Sequence, residues 1–101
     1  MSTDIQFTLY IEELCARTAL SREDVREIVY HEIISPRNHN EDEWQFSADA
    51  ASIAARAARL HRDLELDWHG VALAIRLLQQ VENLERENRY LRQRLLRFEQ
   101  S

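Results

Sequence analysis

Leu77, Val81, Leu84, Asn88, Leu91, Leu95 and Phe98 follow one another at alternating intervals of four and three residues without a slip. That spacing puts them on one stripe of a single α-helix, so the C-terminal part of the chain forms a long helix that offers an apolar seam to another helix. With 101 residues in all, little remains to cover such a seam from within. The pattern therefore predicts a homodimer joined through these seven positions; the alternative is a long helix folded back on its own domain. Asn88 is the one polar residue in the line, and an Asn at a core position selects register and strand number at some cost in stability.

The flanking charges suit a coiled coil without choosing its direction. Parallel pairing sets Glu87 against Arg92 and Arg94 against Glu99, whereas antiparallel pairing sets Glu87 against Arg94. Within the helix, Glu82 to Arg86 and Glu85 to Arg89 lie four apart in the favourable order, each adding about 0.3 kcal/mol. Asp67 is placed to cap this helix, and Gly70 falls in its first turn, where flexibility costs least.

The preceding residues read as a compact domain. Phe7 to Tyr10 alternate as a short strand does, and Tyr10 to Thr18 form a helix with Ile11, Leu14 and Cys15 on one face. Ser21, with Asp24 three residues on, has the form of a capping box, and Val25, Ile28 and Val29 follow at helical spacing. Two short helices joined through Thr18, Ala19 and Leu20 outline a helix-turn-helix. Ile33 and Ile34 suit a strand, Pro36 closes the second helix, and Trp44 and Phe46 point to one side of another strand; together they predict a β-hairpin, or wing, around the polar loop 37–43. Ser47 can cap a third helix running to about Leu64, with Ile53, Ala57, Leu60 and Leu64 as its apolar stripe. The expected fold is mainly α, a winged helix-turn-helix over residues 1–66 with a small hairpin wing, followed by a dimerisation helix over 67–101.

Charge is distributed unevenly. Residues 1–50 carry eleven acids and four arginines, a balance of −7, and residues 51–101 carry seven acids and nine arginines, a balance of +2. The first half is repelled by a phosphate backbone and attracted to a basic partner. Every cationic side chain is Arg, so no lysine is available for Schiff-base or general-base chemistry. One cysteine, Cys15, cannot form an intrachain disulfide, and Glu12 and Glu13 beside it oppose thiolate formation. The start MSTDIQ has no basic-then-apolar leader, and no apolar run is long enough for a bilayer, so a cytoplasmic, soluble protein with no membrane association is expected.

Chemistry finds little purchase. His31, His39, His61 and His69 are not spaced as a ligand pair, Glu41, Asp42 and Glu43 lack the spacing and turn glycine of a calcium loop, and the single glycine excludes a Gly-rich phosphate loop. No nucleophile has a base and an orienting group, so neither enzyme activity nor a metal or other cofactor is expected.

A winged helix-turn-helix ordinarily reads DNA with its second helix. Here that helix carries Arg22 and Arg26 against Glu23, Asp24, Glu27 and Glu32, a surface that repels phosphate and can hold a cationic protein face. These six residues are the expected partner-binding set, with Val25 or Tyr30 in its apolar centre, core packing being the other reading of Val25; a merely solvated acidic face is the other reading of the set.

The order of helix-turn-helix, Ile34-Ser35-Pro36-Arg37, Trp44 and Phe46, helix and terminal coiled coil resembles the MerR superfamily. More narrowly, Thr8, Glu13 and Cys15, Glu27-Ile28-Val29, Pro36-Arg37, Leu66-Asp67-Trp68, Glu87-Asn88-Arg89 and the run Leu91 to Phe98 resemble the chaperone modulatory CbpM family over nearly the whole chain. The resemblance implies a homodimeric, non-enzymatic chaperone modulator that binds the J-domain of the DnaJ-like co-chaperone CbpA and inhibits its co-chaperone and DNA-binding activities. J-domains present a basic helix to Hsp70, which the acidic second helix complements. The alternative is a MerR-type DNA-binding transcriptional regulator, from which this chain departs in its acidic second helix and in a wing without the Gly and Arg pattern. A third reading is an oligomerisation module with no regulatory target.

Overall fold

A computed structural model describes residues 8–100. In order, these form β1 (Thr8–Tyr10), α1 (Ile11–Thr18), α2 (Arg22–Tyr30), a 3-10 turn (Glu41–Glu43), β2 (Gln45–Ser47), α3 (Ala48–Leu64) and α4 (Trp68–Gln100). Phe7, expected to begin the first strand, lies outside the described residues.

Helices α2, α3 and α4 each start where a side chain accepts from one of their first free N–H groups. At α2 the Ser21 Oγ accepts from the Asp24 N–H at 3.0 Å while the Asp24 Oδ2 accepts from the Ser21 N–H at 3.2 Å, the reciprocal capping box read from the sequence. The Ser47 Oγ accepts from the Ala50 N–H at 3.1 Å at the start of α3. The Asp67 Oδ1 accepts from the Gly70 N–H at 2.8 Å at the start of α4.

The helix ends are less conventional. Ala19, Glu32 and Glu65 take left-handed backbone conformations, with φ of 61°, 59° and 53°, in places where a glycine is the usual choice. After α2 the Ile33 N–H donates to the Ile28 carbonyl at 2.9 Å and the Glu32 N–H to the Val29 carbonyl at 3.0 Å. This is a Schellman turn with glutamate at its left-handed position. Glu32→Gly should therefore stabilise the fold by about 0.5–1 kcal/mol, seen as a higher urea midpoint at an unchanged slope, because the strain removed exceeds the entropy added to the unfolded chain.

The Schellman turn also changes the expected wing. Ile33 and Ile34 are not a strand: Ile33 closes the turn, and Ile34, 4% exposed, enters the core. The strand partner of Gln45–Ser47 is β1, antiparallel, with Thr8 opposite Ser47, Leu9 opposite Phe46 and Tyr10 opposite Gln45. Leu9 and Phe46 are both fully buried, so burial of this cross-strand pair sets the register. The wing is a loop closed by Asn38, whose Nδ2 donates to the Glu43 carbonyl at 2.6 Å and whose Oδ1 accepts from the Gln45 N–H at 3.0 Å. A hydrogen bond from the Arg37 N–H to the Gln45 carbonyl, 2.8 Å, completes it.

The core lies between α1, α2, α3 and the first turns of α4, with Leu14, Val25, Ile28, Phe46, Ala54 and Val71 at its centre. Alanines on the inner face of α3 allow close helix approach. The α3–α4 turn is held by His61, whose ring stacks on Trp68 with centroids 4.0 Å apart and whose Nδ1 lies 2.6 Å from the Leu66 carbonyl oxygen. Trp68, Val71 and Ile75 anchor α4 in the core, and beyond Ile75 the helix runs out of the domain. Arg56 of α3 pairs with Glu82 at 3.0 Å and supports its departure angle.

Candidate functional site: an acidic helix face and an uncovered seam

The helical periodicity of α2 turns Val25 and Ile28 inward, both fully buried, and leaves Arg22, Glu23, Arg26, Glu27 and Tyr30 exposed. Val25 is therefore core. Tyr30 is 78% exposed and stands with Glu23 and Glu27 at the spacing of one helix face. Its ring meets that of His31 edge-on, centroids 5.2 Å apart, and His31 in turn meets His69 of α4 at 4.3 Å, so the end of α2 is braced against the long helix.

The two arginines are already engaged within the chain. Arg22 pairs with Glu12 of α1 at 2.7 Å, and Arg26 pairs with Glu41 of the wing at 3.2 Å. Glu23 and Glu27 have no ion-pair partner among the described residues. These bridges join α1, α2 and the wing into one surface on which carboxylates outnumber guanidiniums. A backbone hydrogen bond, and then the Arg22 guanidinium, hold the Glu12 carboxyl below its usual range, so it stays ionised.

The other two expected contact residues are placed differently. Asp24 is half-buried and spends one oxygen on its cap. Glu32 lies beyond the helix, with Ala72, Ile75 and Arg76 of α4 around the same small hollow. Sequence spacing could not reveal the roles of Glu12 and Glu41, because their arginine partners lie ten and fifteen residues away, outside the reach of any one helix turn.

Cys15 is half-buried, and that burial, ahead of any charge, raises its thiol above the ordinary range. It is a core-facing thiol with no activating environment. Among the described residues no cluster of His, Cys, Asp or Glu could hold a metal ion, and no helix is long and apolar enough to cross a membrane.

On α4, the apolar positions of the heptad stripe are exposed in the single chain: Leu77 50%, Val81 51%, Leu84 63%, Leu91 57%, Leu95 58% and Phe98 78%. Asn88 is exposed in the same line, its Oδ1 accepting from the Arg92 Nε at 2.6 Å. At about 1.5 Å per residue, the stripe from Leu77 to Phe98 extends for about 32 Å. A continuous apolar face of that length is far larger than the scattered apolar residues of an ordinary surface.

Comparison with known proteins agrees with this architecture. A family model described as MerR HTH family regulatory protein matches residues 9–93. The chain is 45% identical over 100 residues to the chaperone modulatory protein CbpM of Pseudomonas putida (strain W619), covering 99% of both chains. It is 42% identical over 95 residues to the chaperone modulatory protein CbpM of Escherichia coli (strain K12 / DH10B), covering 94% of both.

Proposed function

The chain belongs to the MerR helix-turn-helix family and, within it, to the chaperone modulatory CbpM proteins, and from that premise we propose that it is a non-enzymatic chaperone modulator acting as a homodimer. Its target is the J-domain of a CbpA-type co-chaperone, which it holds through the outer face of α2 and so withholds from Hsp70 and from DNA. The observation that carries this reading is the state of the charges on α2: both arginines are bridged to Glu12 and Glu41, while Glu23 and Glu27 stand exposed and have no ion-pair partner among the described residues.

A cationic helix approaching this face gains complementary charge without displacing an existing partner of Glu23 or Glu27, and Tyr30 offers an aromatic surface beside them. The six residues read from the sequence then divide by role. Glu23 and Glu27 meet the partner, Arg22 and Arg26 pin the neighbouring elements, and Asp24 and Glu32 shape the two ends of the helix. Titration of the purified J-domain into the protein by calorimetry tests the reading; absence of heat and of co-migration in gel filtration removes it.

Homodimerisation rests on the length and exposure of the α4 seam. The pairing segment is α4 beyond Trp68, Val71 and Ile75, which belong to the core of the single chain. The competing reading, a DNA-binding transcriptional regulator, draws support from the MerR family match alone. A gel shift on random duplex DNA at low salt separates them: the acidic face predicts no retarded band, whereas retardation that falls steeply with added salt favours the regulator.

A further inference from the structure

Between α1 and α3 lies a surface of the opposite sign. Two adjoining depressions there share Arg17, Thr18 and Ala55 and run together as one trench. Arg59 and Arg62 stand with Arg17 at one end, while Ala48, Ala51 and Ser52 floor the other. Among the described residues no carboxylate lines either depression, and no residue of α2 does, although the protein as a whole carries a net charge of −5. Arg62 pairs only with its neighbour Asp63, at 3.2 Å, and Arg59 has no ion-pair or hydrogen-bond partner among the described residues.

We propose that this trench is a second docking surface, taking an acidic segment of a partner protein. Guanidiniums grouped at one end suit carboxylates, which they bind with two parallel hydrogen bonds, and the short side chains at the other end let a helix backbone approach closely. A nucleic acid would need cations spaced along the whole trench to follow its phosphates, and among the described residues Arg17 is the one cation that lines the part with Ala48, Ala51 and Ser52. The protein therefore presents two faces of opposite charge, the acidic one on α2 and the basic one here. The two are independent, so either can fail without the other.

The test uses the full chain and a short fluorescein-labelled helical peptide with glutamates along one side and alanines along the other, followed by fluorescence anisotropy. Arg59→Glu combined with Arg62→Glu should weaken binding by about tenfold or more, since both charges are reversed. Ser52→Trp, which fills the other end of the trench without changing charge, should also weaken it. Glu23→Arg with Glu27→Arg should leave that affinity unaltered or slightly raised, because the α2 face lies outside the trench. Circular dichroism should show every variant folded, since all the substitutions are at exposed positions. The proposal is overturned if the wild-type protein does not bind the peptide or if the trench variants bind it as well as the wild type. It is equally overturned if labelled duplex DNA binds more tightly than the peptide with the same Arg59 and Arg62 dependence, or if those variants instead abolish self-association in sedimentation.

Discussion

Leu91→Asp should leave the protein monomeric at micromolar concentration in sedimentation velocity, with the helical signal of the N-terminal domain retained. In the isolated chain Leu91 is 57% exposed, so an aspartate there costs the single-chain fold little. In a paired seam the same side chain faces apolar neighbours, and a carboxylate must be either desolvated or neutralised. A two-fold dimer contains the change twice, so the expected loss exceeds about 4 kcal/mol, or about a thousandfold in the dissociation constant. A dimer that survives the substitution would place self-association on another surface. Free α4 beyond Ile75 should also lose helicity in the monomer, because a solvated helix of this length is only marginally stable without a partner.

Glu23→Arg with Glu27→Arg should lower affinity for the J-domain by about thirtyfold, about 2 kcal/mol, and slow association more than it speeds dissociation. Each substitution removes one attraction and adds one repulsion at an exposed position, and neither residue supports the fold through a cap or an ion pair. Stability and dimerisation should therefore stay as they were. Calorimetry at low and moderate salt reads the effect; an affinity equal to that of the wild type at both would show that the acidic face does not meet the partner. Tyr30→Ala distinguishes charge from contact, since it should weaken binding at every salt concentration.

Much of the fold was legible because it depends on local chemistry. The α2 capping box needs only Ser21 and Asp24 at the right separation, Ser47 and Asp67 cap their helices in the same way, and the alternation of apolar positions separates inward Val25 and Ile28 from outward Glu23 and Glu27. The wing was misread because Ile33-Ile34 is β-branched and apolar, the usual mark of a strand, yet the left-handed Glu32 turns the chain so that Ile34 enters the core. No glycine marks that turn, nor those at Ala19 and Glu65, so three helix ends carried no compositional signal.

The helices, the caps at Ser21, Ser47 and Asp67, the sign of the charge on α2 and the unbroken heptad stripe are all set by residues within a few positions of one another, and so can be read along the chain. The packed fold alone shows that Gln45–Ser47 pairs with Thr8–Tyr10, that Arg22 and Arg26 are tied to Glu12 and Glu41, and that Arg17 meets Arg59 and Arg62 across a trench. The reason is distance along the chain: those partners are brought together by burial of the shared core, and no local propensity encodes which surface side chains that packing will set side by side.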